Sequence, residues 1–164
     1  MIQNTSSFIK YFESVRRRTL AYLQVLTAGQ LDWAPKEGEF TCGDILRHLA
    51  ASEKMFVGTV VEGRWRYPGH QGSANDTLQA LLENLNAVHQ EAMQTLGTLP
   101  DAELDQTRPA LQGKPVKAWR LLMVMVEHEV HHRSQLAVYL TLMGLQPPQI
   151  YGLGVEDILA ILGN

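Results

Sequence analysis

The chain has 164 residues, 45% of them hydrophobic and 19% charged, with a formal net charge of −3. That length suits one domain with a substantial core. The slightly acidic balance argues against a general nucleic-acid or anionic-membrane binder, which needs a concentrated basic surface. The single cysteine, Cys42, excludes an intrachain disulfide framework and points to a reducing compartment. The polar residues after Met1 do not read as a signal peptide, and no run of roughly 18 apolar residues occurs. A cytoplasmic protein without a membrane span is expected.

Phe8, Phe12, Val15, Thr19, Tyr22 and Leu26 recur at spacings of four and three, which is one face of a helix. Thr5 to Ser7 supply capping residues at its start, and Gly29 marks its limit. Within the same helical pattern, Arg16-Arg17-Arg18 reads as a solvated face. A connector with Pro35 and Gly38 covers 27–40. Thr41, with Asp44 three residues on, predicts the N-cap of a second helix. Its inner face carries Ile45, His48 or Leu49, Ser52, and Met55 or Phe56. The stretch 62–75, EGRWRYPGHQGSAN, is rich in glycine, proline and polar residues and reads as a loop.

A third helix is expected to open near Asn75 or Asp76 and to run on Leu78, Leu82, Leu85, Ala92 and Leu96, until Gly97 and Pro100 end it. The connector over 98–114 has room for a short turn or hairpin. A fourth helix is expected from Pro115 or Val116 to Gly144, closed by Pro147-Pro148. The amphipathic tail 155–163, VEDILAILG, is expected to pack back on the body. Strand signals are scarce, and no repeat of fixed period appears. The reading is all-α: a four-helix bundle with long inter-helix loops and a short C-terminal helix, one domain over 1–164.

Along the fourth helix Leu121, Met125, His128, His132, Gln135, Tyr139 and Leu142 form one stripe, so the apolar rail runs straight through two histidines. His128 and His132 therefore occupy interior positions one turn apart, where two imidazoles can converge on one metal. His48 interrupts the inner face of the second helix in the same way. Three inward imidazoles from two helices make a metal site with open coordination positions. A lone buried histidine is more often a hydrogen-bonded core residue, and for His48 alone that is the stronger reading. For the pair metal is stronger, because two adjacent buried imidazoles have four ring nitrogens to satisfy. His131 is offset toward a flank, His89 lies beside the stripe of the third helix, and His70 sits in the loop facing solvent.

Residues 128–132, HEVHH, also spell HExxH, in which two histidines hold zinc and the glutamate drives water. The extended peptidase pattern needs glycine and histidine where Gln135 and Val138 stand. The other form takes a later glutamate, and Glu156 has a permitted spacing. A peptidase also needs an edge strand for extended substrate, and none is evident. Glu129 is offset about 100° around the helix from His128, so the peptidase reading is disfavoured.

Residues 31–53, LDWAPKEGEFTCGDILRHLAASE, together with residues 127–149, EHEVHHRSQLAVYLTLMGLQPPQ, resemble the DinB/YfiT-like metal-dependent superfamily. The shared features are a tryptophan-proline connector, a D/E-x-L-x-H-L segment and a late H-x-x-x-H-R-x-Q-L. The resemblance implies a four-helix bundle that binds a divalent ion, commonly nickel or zinc, with manganese or iron as options. It maps the ligands to His48, His128 and His132 and makes the literal HExxH incidental. Where relatives often have tryptophan and serine before the second helix, this chain has Phe40-Thr41-Cys42. Cys42 reads as a buried or capped thiol rather than a ligand.

Characterised relatives include S-transferases that use a low-molecular-weight thiol and a mycothiol-dependent isomerase. The resemblance therefore implies a metal-dependent enzyme, thiol S-transferase ahead of hydrolase, acting on a small molecule. A non-catalytic, stress-associated scaffold with a structural metal is the reading from another class. Glu129, Arg133 and Gln135 are expected to support the ligands from behind. Met123, Val124, Val126 and Leu140 suggest an apolar patch and a homodimer. Trp65, Arg66 and Tyr67 are placed at an entrance.

Overall fold

A computed structural model of the chain describes residue 2 and residues 4–73 and 75–163. Four long helices carry the fold: α1 (Thr5–Leu23), α2 (Cys42–Glu62), α3 (Leu78–Gly97) and α4 (Ala118–Leu142). A short α5 (Val155–Leu162) follows. The only strands among the described residues are two-residue β1 (Thr107–Arg108) and β2 (Val116–Lys117), paired antiparallel as a hairpin within the third connector.

The helix starts follow capping chemistry. Thr41 Oγ1 accepts from the Asp44 N–H at 3.0 Å while Asp44 Oδ2 accepts from the Thr41 N–H at 2.9 Å, the reciprocal box expected from the sequence. Three starts are corrected. Asn4, not a residue of 5–7, caps α1 through its side-chain oxygen. Thr77 caps α3, because Asp76 is taken up by Arg47. The fourth helix starts at Ala118, because Val116 and Lys117 belong to β2 and the Ala118 N–H is held by the Gln106 carbonyl. Gly63 ends α2 with φ of 72°, a left-handed position that costs glycine little.

α1 borders α3 and α4, and α2 borders the same two, so α1 and α2 lie diagonally across the bundle. Consecutive helices that sit diagonally need long connections, and this is what residues 24–41 and 98–117 supply.

The core has two apolar halves. One gathers Phe8, Phe12, Phe56, Leu96 and Leu122; the other gathers Leu23, Ile45, Leu85, Leu136 and Leu140. Between them each of the four long helices places polar side chains inward: Arg16 and Thr19, Ser52 and Glu53, His89, then Glu129 and His132. Arg16 is only 2% exposed, which corrects the reading of the triple arginine as a solvated face. Its Nη2 donates to Glu53 Oε2 at 2.8 Å and to Glu129 Oε2 at 3.0 Å. Its Nε lies 3.0 Å from Glu129 Oε1, close enough for ion pairing but not aligned as a hydrogen bond. His89 Nδ1 donates to Glu53 Oε1 at 2.7 Å, which settles the place of that histidine.

Two further expectations fail. The tail helix α5 has no buried residue, so it does not pack back on the body. Val126 and Leu140, half of the expected dimer patch, are 3% and 0% exposed and belong to the core. Exposed aliphatic side chains instead gather at Val138, Leu142 and along α5. No helix among the described residues is long and apolar enough to cross a membrane.

Arg16→Met leaves two buried carboxylates facing one another without their cation, and unfolding in urea should show a loss of about 3–5 kcal/mol. Arg17→Met, at an exposed position, should stay within about 0.5 kcal/mol of the parent.

Candidate metal centre

His48, on the second turn of α2, and His128 and His132, one turn apart on α4, meet at the edge of the polar layer. His48 Nε2 stands 2.9 Å from His128 Nε2, and His132 Nε2 stands 3.2 Å from the same atom. One ligand atom from each lies within 4.8 Å of the others; among the described residues no other group of His, Cys, Asp or Glu converges in this way.

The rings are held neutral. Burial pushes His48 down to about 4 and His128 down to about 3, and neighbouring imidazoles push the same way. Burial also lowers His132, against an opposing pull from Gln135. All three therefore keep lone pairs at neutral pH.

The tautomer of His132 follows from a chain of donors. The Phe40 carbonyl can only accept, so Tyr139 donates to it at 2.9 Å. The Tyr139 oxygen then receives Gln135 Nε2 at 2.9 Å, which turns the amide oxygen toward His132 Nδ1 at 2.9 Å. That oxygen only accepts, so Nδ1 carries the proton and Nε2 offers its lone pair to the centre. Of the three expected supporting residues, Gln135 thus has a direct hydrogen bond to a ligand.

Glu129 and Arg133 do not share that place. Glu129 lies on the next face of α4 and spends its carboxylate on Arg16; burial raises its pKa, with Arg16 pulling it back. Arg133 is buried beside His132 with Nη1 lacking a hydrogen-bond partner. His131 is exposed at the flank, as expected, and its ring stands edge-on to His132. Cys42 is fully buried and burial pushes its thiol up to about 11, outside the histidine group. Glu156 lies on the exposed α5 and does not join the group either.

Sequence reasoning underread the wall of the site. His70 is half-buried rather than free in solvent: its ring packs 4.9 Å from Phe40 and 5.3 Å from His48. Tyr67 puts its hydroxyl 2.7 Å from His48 Nδ1 and also on His70 Nδ1. Phe40 stacks over His132 at 6.3 Å, and Phe56 stands 5.8 Å from His128. Trp65 instead packs on Phe56 and donates to the Pro109 carbonyl, a local contact rather than an entrance. Nothing periodic places residues 67 and 70; only the local wealth of His, Tyr and Arg in an otherwise Gly/Pro loop was available as a signal.

The donor set fits a divalent ion. Two nitrogens each ~2.1 Å from one ion and ~90–100° apart stand ~3.0–3.2 Å from each other, close to the 2.9 and 3.2 Å found here. An all-imidazole set suits zinc, nickel or iron better than manganese. The class is thus a helical bundle with a three-histidine, metal-competent centre reached from a loop-lined side.

The model of the DinB family matches residues 1–159, and the chain belongs to that family. Two curated relatives are uncharacterised proteins of Bacillus subtilis (strain 168). YrdA is 25% identical over 157 residues, covering 96% of this chain and 93% of its own. YjoA is 22% identical over 143 residues, covering 85% and 91%. Among solved structures, a DinB-like protein from Bacillus cereus ATCC 10987 superposes with a TM-score of 0.76 at 20% identity, covering 91% of this chain and 99% of its own. YfiT from Bacillus subtilis gives 0.68 at 21% identity, covering 87% and 89%. It is described as a probable metal-dependent hydrolase with an unusual four-helix bundle topology.

The lowered imidazoles set the acid behaviour of the chelator-treated protein. Histidines in the unfolded chain titrate near ~6.5, whereas folded His48 and His128 titrate near about 4 and about 3. Below pH ~6.5 the unfolded state takes up protons that the folded state refuses, so stability falls as pH drops from there toward about 3. Urea unfolding at stepped pH should show this decline, and His128→Gln should reduce it. Ellman's reagent should reach Cys42 only after denaturation.

Proposed function

We propose that this chain is a divalent-metal-dependent enzyme that transfers a low-molecular-weight thiol to an electrophilic small molecule at His48, His128 and His132. The observation that carries the reading is three neutral imidazoles aimed at one point, with no fourth His, Cys, Asp or Glu joining them among the described residues. A structural zinc site is normally closed by four protein ligands, so this one is built with room for a guest. A divalent ion held there supplies Lewis acidity, which lowers the pKa of a thiol or a water that reaches it.

The chain's own residues supply the rest. Gln135 orients His132, while Phe40 and Phe56 keep an apolar wall against the imidazoles. Surface cavities of about 390 and 320 Å³ border the loop that carries Tyr67 and His70, one lined by His70 and the other by Tyr67, although none of the three histidines lines either. In the transfer the thiol gives its proton to solvent, its sulfur bonds the electrophilic carbon, and the leaving group departs with the bonding pair.

Glu129 favours the thiol over water. The carboxylate that would draw a proton from water in an HExxH peptidase is bound to Arg16, and no other carboxylate joins the histidine group. A thiol is far more acidic than water and needs no such base. Hydrolysis remains the second reading, supported by the description of YfiT as a probable metal-dependent hydrolase.

The test loads chelator-treated protein with zinc, nickel, iron or manganese. Each form is assayed with bacillithiol plus monobromobimane or a chlorinated arene, and in parallel with ester and amide substrates. Thioether formation that stops on chelation and falls at least ~100-fold in His128→Ala is expected. Ester or amide cleavage alone would favour the hydrolase. Silence in both arms, with a large loss of melting temperature in His128→Ala, would favour a structural metal in a scaffold protein.

A further inference from the structure

The turn of α2 that carries His48 also holds down the loop over 63–77. Arg47 Nε donates to the His70 carbonyl at 3.2 Å, Nη1 to Asp76 Oδ2 at 2.6 Å, and Nη2 to Asp44 Oδ1 at 2.8 Å. Asp76 Oδ2 also receives the Ser73 N–H at 3.1 Å, so one carboxylate ties both the loop and the arginine. Two glycines make room for the guanidinium: a Cβ at Gly43 would stand 3.3 Å from its nitrogens, and one at Gly72 would stand 3.2 Å from its carbon. The result is a loop pinned across the face of α2 with Tyr67 and His70 over His48.

Tyr67 has one hydroxyl proton and two imidazole nitrogens beside it, His48 Nδ1 and His70 Nδ1. Two directions of proton donation are available. In one, Tyr67 donates to His48 Nδ1; His48 then carries its proton on Nε2 and points it at His128 Nε2, 2.9 Å away. In the other, His48 Nδ1 donates to the Tyr67 oxygen and Tyr67 donates to His70, which leaves the His48 Nε2 lone pair free. Only the second direction makes His48 a ligand. Gln135 enforces the same choice on His132 with an oxygen that can only accept. Tyr67 has no such compulsion and takes its direction from its second partner, His70.

We propose that Tyr67, carried on the loop that Arg47 and Asp76 pin to α2, is the positioning residue that sets His48 in its metal-binding tautomer, so that loop closure and metal affinity are coupled. The proposal rests on the reading of the histidine group as a metal site. It assigns the loop a part in building the centre rather than only covering it. Coupling of this kind is reciprocal: a closed loop favours the ion, and the ion favours a closed loop.

Zinc or nickel titrations of chelator-treated protein, followed by calorimetry or a competing chromophoric chelator, provide the test. Tyr67→Phe keeps the ring and removes the oxygen. It should weaken metal binding by about 10–100-fold, with the melting temperature of the metal-free protein little changed. The visible spectrum of its cobalt(II) form should change as well, since that reads the ligand field directly. Asp76→Asn, which touches no histidine, should weaken binding when Tyr67 is present and have little effect in the Tyr67→Phe background.

A Tyr67→Phe affinity within about twofold of the parent would overturn the coupling. Independent, additive effects of the two substitutions would overturn it too, as would a lowered metal-free melting temperature with unaltered cobalt spectrum. A parent protein that takes up no ion at all would instead remove the site reading itself, which keeps the two failures apart.

Discussion

A polar layer across the middle of the bundle is the constraint on which this structure turns. A charge or imidazole in a low-dielectric interior is costly unless partnered, and for Arg16, Glu53, Glu129 and His89 the partners come from all four long helices. Arg16 on α1 reaches diagonally to Glu53 on α2 and across to Glu129 on neighbouring α4, while His89 on α3 holds the other oxygen of Glu53. The layer specifies register: sliding a long helix by one turn would set a polar side chain against the apolar clusters on either side. The histidine group lies at the open edge of the same layer, where three imidazoles from α2 and α4 converge.

One turn of α4 serves both halves of that layer. His128 and His132 share a face and look toward α2, whereas Glu129 is offset by about 100° and looks toward α1. The diagonal arrangement of α1 and α2 makes this division of labour possible, since α4 lies between them. It also sets the lengths of the connectors. The first returns across the bundle end with Phe40 and Thr41, so the residue that caps α2 follows directly on the aromatic ring that walls the centre. The Phe40 carbonyl then accepts from Tyr139 and starts the chain that ends at His132.

Much of this was legible in the order of residues. The five positions that fall within α1, Phe8 to Tyr22, are all buried, and so is Leu26, although the helix ends at Leu23 rather than just before Gly29. The Thr41/Asp44 box is where it was placed, and His48, His128 and His132 converge as the interrupted apolar rails required. What failed has common physical causes. Arg16 belongs to a run of three cations, and composition cannot say that one of them points 100° away from its neighbours into a layer of carboxylates. The α4 stripe holds through Tyr139 but not at Leu142, which is 60% exposed, because a period of 3.6 drifts off a seven-residue rail and the buried face passes to Leu136 and Leu140. The amphipathic pattern of α5 speaks of an apolar face, not of what covers it. Tyr67 and His70 sit in a loop whose path is set by Arg47, a tertiary contact between residues more than twenty apart in the chain.

The HExxH letters show how little a spacing says until the fold supplies a frame. Two histidines four apart on an interior face will converge in any helix, so that part of the pattern carries over to a bundle. The glutamate between them does not, because its role depends on what lies a third of a turn away. In a peptidase that direction holds the water to be activated. Here it holds Arg16, and the carboxylate that would serve chemistry instead closes an ion pair. The same substitution therefore tests different things in the two settings: replacing Glu129 in this chain strikes at the buried charge layer and its stability, while the three imidazoles keep their own supports in Gln135, Tyr67 and the aromatic wall.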